Sequence, residues 1–108
     1  MPSSYSRVES DSLGATAVLL VGHACTLGWV NAVNTTGALA HIQLFNAALA
    51  ADVTVGTTLP DLVITSPLSQ AVFVTDIDCD FPLGIVAAST TTVTGNSAAT
   101  QHLKIGVQ

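Results

Sequence analysis

Positive charge is nearly missing from this sequence. Arg7 and Lys104 are the only basic side chains in 108 residues, and charged residues of both signs make up 8% of the chain. An ordinary soluble domain carries about 25%. The formal net charge is −5. Nucleic-acid binding draws its affinity from Lys and Arg that neutralise phosphates, so two cations on an acidic chain argue against that class. Anionic membrane surfaces are argued against on the same ground. Long apolar runs are missing as well. Stretches such as residues 17–21 fall far short of the roughly 18 apolar residues that a spanning helix needs. The start, Met1-Pro2-Ser3-Ser4-Tyr5, lacks a basic segment followed by an apolar one, so no signal peptide is expected. No G-x-G-x-x-G or Walker pattern cradles a phosphate. Gly22, Gly28, Gly37, Gly56, Gly84 and Gly95 read as turn or bulge glycines instead. There are two cysteines, Cys25 and Cys79. Nothing marks a secreted chain, so they are expected as free thiols acting as small hydrophobes.

What the chain does have is apolar bulk, at 49% of residues. Its length suits one domain around one core. A body this apolar and this uncharged is poorly soluble if it stands alone. Interface cores are depleted of charge in the same way. Part of the exterior is therefore expected to lie against other protein. The competing reading is a monomer coated with Thr, Ser, Asn and Gln.

Short apolar runs separated by turn residues fill the chain from Leu13 onward. Strands are expected at residues 15–21, 27–34, 38–46, 62–65, 70–75, 83–88 and 101–107, with residues 89–94 extending the sixth. A helical turn is expected at 47–52, and a loop or edge segment at 76–82. In the third run, Ala40, Ile42 and Leu44 alternate with Leu39, His41, Gln43 and Phe45. The connection Asn34-Thr35-Thr36-Gly37 predicts that the second and third strands form a hairpin. In the last strand Leu103, Ile105 and Val107 share one face, and His102 and Lys104 the other. Turn signals recur every 8–12 residues or so, the pattern of an antiparallel sandwich or barrel. The fold class is all-β: a β-sandwich of about 7–8 antiparallel strands. Residues 1–12 are polar and aperiodic and read as an N-terminal arm, leaving 13–108 as the sandwich domain.

Four segments carry a resemblance: Leu27-Gly28-Trp29-Val30-Asn31-Ala32-Val33-Asn34-Thr35, then Ile42-Gln43-Leu44-Phe45-Asn46, then Val53-Thr54-Val55-Gly56-Thr57-Thr58-Leu59-Pro60, and a late segment opening Phe81-Pro82-Leu83-Gly84-Ile85. Together they resemble the capsid decoration or cement proteins of tailed bacteriophages. The resemblance implies a jelly-roll-like sandwich, a homotrimer, and attachment to the major capsid protein on the outside of the virion. The chain departs from that pattern in its third strand, where His41 and Gln43 stand in place of aromatic and Lys residues.

Few constellations point to chemistry. Asp76, Asp78 and Asp80 alternate and could offer oxygen ligands to Ca²⁺, but Phe81 and Pro82 stand where an EF-hand needs Gly. The competing reading is an edge whose charges block unwanted strand pairing. His23, His41 and His102 are scattered, without ligand spacing. Trp29 reads as a core residue rather than a sugar platform. Asn34-Thr35-Thr36 matches a glycosylation sequon, which has no meaning in a bacterial virus. No acid/base pair or nucleophilic triad is evident, so no catalytic, cofactor or metal site is assigned and no enzyme is expected. The second functional reading is a carbohydrate- or receptor-binding sandwich. Its aromatic platform would have to come from Tyr5, Trp29, Phe45, Phe73 and Phe81.

Overall fold

The computed structural model describes residues 5–108. Nine strands account for about half of the described residues: β1 (Ser6–Leu13), β2 (Val18–Val21), β3 (Cys25–Asn34), β4 (Ala40–Asn46), β5 (Leu62–Ser66), β6 (Ala71–Val74), β7 (Cys79–Phe81), β8 (Ile85–Thr90) and β9 (Gln101–Val107). One 3-10 turn, Ala50–Asp52, falls where the Ala-rich helical turn was expected.

The strands form two antiparallel sheets. One has the order β1-β9-β3-β6, with β7 also paired to β3. The other has the order β2-β8-β4-β5. The ladders β4·β5, β3·β6, β2·β8 and β1·β9 are nested about the β4–β5 connection. One long antiparallel ribbon is thus rolled into a sandwich, with its halves alternating between sheets. That is the eight-stranded jelly roll, with β7 added beside β3.

Leu27, Val30, Ala32, Ile42, Leu44, Phe81, Ile85, Leu103 and Ile105 fill the space between the sheets and are almost wholly buried. β9 has the two faces its alternation predicts: Leu103, Ile105 and Val107 are buried, His102 and Lys104 exposed. Strand β4 differs from its prediction. Gln43 and Phe45, on the face opposite Ile42 and Leu44, are buried too. Phe45 joins Ala47, Val53, Val86 and Ala88 in a second cluster outside the β2-β8-β4-β5 sheet. The centre of that sheet is covered on both faces, and every residue of β8 is buried, while Leu19 on β2 and Thr65 on β5 stay exposed at its edges.

Two expectations need correction. The predicted hairpin between residues 27–34 and 38–46 does not exist, because β3 and β4 belong to opposite sheets. The connection between them crosses the edge of the sandwich, and Asn34 makes the corner. Its side chain is 1% exposed. Nδ2 donates to the carbonyls of Ala38 (2.8 Å), Pro67 (3.0 Å) and Ser66 (3.3 Å). Oδ1 accepts from the Thr36 N–H and hydroxyl. A tight turn sequence reads alike whether its strands pair or part. The expected arm is also, from Ser6 onward, strand β1, hydrogen-bonded to β9. Met1 to Ser4 lie outside the described residues. Val8 and Leu13 turn inward to the core, and most of the rest of the strand is exposed, as suits an edge strand with one buried face.

Candidate functional surfaces

The residues singled out for chemistry are dispersed. Among the described residues no group of three or more His, Cys, Asp or Glu side chains stands together as a metal site. Asp76 and Asp78 have φ of 57° and 50°, a left-handed conformation that Asp tolerates better than most side chains. Asp80 lies on β7 and accepts a 2.8 Å hydrogen bond from the Thr26 hydroxyl. His23 sits in the β2–β3 turn, with Nδ1 3.0 Å from the Ala24 carbonyl. His41 meets the Thr65 hydroxyl at 3.0 Å, across the β4·β5 ladder. His102 lies on the other sheet. Cys25 and Cys79 are free, on paired strands, and burial pushes the Cys25 thiol up, away from the reactive thiolate.

Gln43, where the chain departs from the decoration-protein pattern, proves to be an internal anchor. Its Nε2 donates to the Thr90 hydroxyl (2.7 Å) and the Gly95 carbonyl (3.1 Å). It thereby ties the β8–β9 loop, residues 91–100, over the outer face of β4. Gln101 and Ser89 hold the base of that loop: Gln101 Nε2 donates to Ser89 Oγ at 2.9 Å, and Ser89 Oγ donates to the Ala99 carbonyl. Gln43→Ala should cost about 2 kcal/mol, from lost hydrogen bonds and a small cavity. Amide hydrogen exchange should quicken in residues 91–100 before it does in β9. Uniform exchange across both would contradict the anchor.

Two parts of the exterior stand out. The first is one end of the sandwich, built from four loops: residues 14–17, 35–39, 67–70 and 91–100. They lie together because Leu13 and Asn34 both pair with Gln101, and Ser69 donates to the Thr36 carbonyl. No ionisable side chain occurs in any of the four. Leu39 and Leu68 are 52% and 50% exposed there, and Val93 is also exposed. These three aliphatic side chains are left in water at an end without charges to keep it solvated; Leu49, Leu59 and Leu83 are exposed elsewhere.

The second is the outer face of the β1-β9-β3-β6 sheet. Trp29, read from sequence as a core residue, lies here, partly exposed and edge-on to Phe73, with ring centroids 5.9 Å apart at 63°. Sequence placed Trp29 inside because β3 is mostly buried. Among its outward positions Asn31 is polar, but Trp29 and Val33 on either side of it are apolar, so the alternation was weak.

No protein-family model, curated protein or solved structure gives a significant match to this chain.

Proposed function

We propose that this chain is a capsid decoration or cement subunit of a tailed bacteriophage. In this reading it self-associates as a homotrimer and binds the major capsid protein on the outer surface of the virion. The observation that carries the reading is the charge-free loop end with Leu39 and Leu68 exposed on it. Such an end contacts another protein more favourably than water, because apolar area gains about 25 cal/mol per Å² on burial. No charged group there has to be desolvated. Repetition over many copies on one shell multiplies a modest contact into strong retention. The jelly-roll body is a stiff spacer that holds the four loops together at one end. The reaction performed is adhesion, with no chemical step.

The test is re-addition of purified protein to stripped capsids of the virus that encodes it. The double variant Leu39→Glu, Leu68→Glu should lower occupancy about tenfold or more, because each carboxylate must be desolvated in the contact. Both positions are half-exposed, so thermal unfolding should be unchanged. Full occupancy by this folded double variant would refute the proposal.

A further inference from the structure

We propose that the outer face of the β1-β9-β3-β6 sheet binds a neutral pyranose oligosaccharide. This inference stands apart from shell attachment, which uses the loop end.

The strand registers compose the face. Glu9, Lys104, Asn31 and Phe73 are consecutive partners across β1, β9, β3 and β6. One row away, Arg7, Gly106 and Trp29 are partners. On the other side His102 pairs with Val33, and Val33 with Ala71. These rows lie about 7 Å apart along the strands. The face therefore holds both basic side chains of the whole sequence, Arg7 and Lys104. The opposite sheet is covered on its outer side over its central strands, β8 and most of β4, whereas nothing covers this one among the described residues.

Three of the chain's five aromatic rings are on this face or at its edge: Tyr5, Trp29 and Phe73. The other two, Phe45 and Phe81, are buried. The platform is built into the backbone. A Cβ on Gly106 would collide with the Trp29 indole, and one on Gly28 with the Tyr5 ring. Glycine at these two positions lets the rings lie down against the sheet. That packing accounts for Trp29 and Tyr5 but not for Phe73, which is 61% exposed beside the indole. Next to the rings a cleft of about 310 Å³ is lined by Glu9, Asp11, Asn31, His102 and Lys104. These side chains offer a carboxamide, two carboxylates, an imidazole and an ammonium group, a set of both acceptors and donors.

A pyranose ring has an apolar C–H face and an edge of hydroxyls. The aromatic rings suit the first, and the polar lining suits the second. The two carboxylates, Glu9 and Asp11, are matched by two cations, Lys104 and Arg7, and Arg7 is ion-paired to Glu9 at 3.0 Å, so the face carries no net charge and the fit is to neutral sugars. The distance from Trp29 to Val33, about 13 Å along β3, calls for a short oligosaccharide rather than one ring.

Trp29 is the only tryptophan, so its fluorescence reports on the face directly. The intact protein is titrated with cellohexaose, chitohexaose and linear β-galactan and mannan oligomers. Saturable change with at least one of them is expected. Phe73→Ser should weaken it about tenfold, the loss of one stacking contact, and Asn31→Ala should weaken it as well. Neither variant should alter the unfolding temperature by more than a few degrees. The Leu39→Glu, Leu68→Glu protein should bind the sugar as before, so this proposal and shell attachment fail separately. Absence of saturable change with all the sugars would overturn the inference. So would undiminished binding by Phe73→Ser, or a change in its oligomeric mass without any sugar response, which would make the face a contact between copies.

Discussion

Asn34→Asp is expected to be among the most destabilising single substitutions in this protein. The substitution replaces a donor facing three carbonyl oxygens with an acceptor, at a site that is 1% exposed. The lost bonds and the desolvated carboxylate together should cost at least about 4 kcal/mol at neutral pH. Total stability for such a domain is about 5–15 kcal/mol, so the loss is a large fraction. Its pH dependence has a definite sign. Burial raises the folded-state pKa of the introduced carboxyl above its unfolded value near 3.9. Folding then favours the protonated form, so the damage grows as pH rises through that range and shrinks in acid. Asn34→Ala, which only removes the donor, should cost about 3 kcal/mol with no such dependence. Urea unfolding at pH 4 and pH 7 checks both. Equal losses for Asn34→Asp at the two pH values would contradict the assigned role.

Gly84→Ala should have an effect of similar size for a backbone reason. Gly84 has φ of +136°, a region that essentially only glycine occupies. It sits where three segments converge. An added Cβ would fall within contact distance of the Val21 carbonyl, 2.9 Å from the Ala47 carbonyl and 3.2 Å from the His23 nitrogen. All three are main-chain atoms that cannot rotate away. Strain and overpacking together should cost about 3 kcal/mol or more. Gly37→Ala is the control, because an added Cβ there meets nothing within 4 Å. It should be neutral or gain about 0.5 kcal/mol from the unfolded state. Thermal unfolding of the two variants side by side separates a general cost of replacing glycine from this local one.

How far the sequence could be read follows from which interactions are local. Strand β9 matches its predicted span of 101–107, and its faces follow from alternation alone, since one side meets the core and the other water. Leu62–Ser66 and Ala71–Val74 were also legible, bounded by Pro60, Pro67 and polar turns. The crossing at Asn34 was not. Whether two successive strands pair or part is decided by β9 and β6, which flank β3 but come far later in the chain. β1 was hidden because an edge strand needs few apolar residues, and Val8 with Leu13 was too sparse a pattern.

The candidate surfaces were less legible still. Charge scarcity pointed to a covered exterior but did not say where. The four uncharged loops are separated in sequence and meet only when the ribbon rolls up. The face bearing Trp29, Asn31, Phe73 and Lys104 is assembled from three strands in the same way. Asp76, Asp78 and Asp80, the densest charge cluster in the sequence, do not gather into a ligand set, because the chain turns between them.

The central claim is that this charge-poor exterior lies against other protein, first of all against copies of itself. Light scattering on the isolated chain, followed over a hundredfold range of concentration, tests it most directly. The expected result is a concentration-stable mass of three times the 11.0 kDa protomer. A single 11.0 kDa species at the highest concentration, freely soluble and unable to bind capsids, would contradict it.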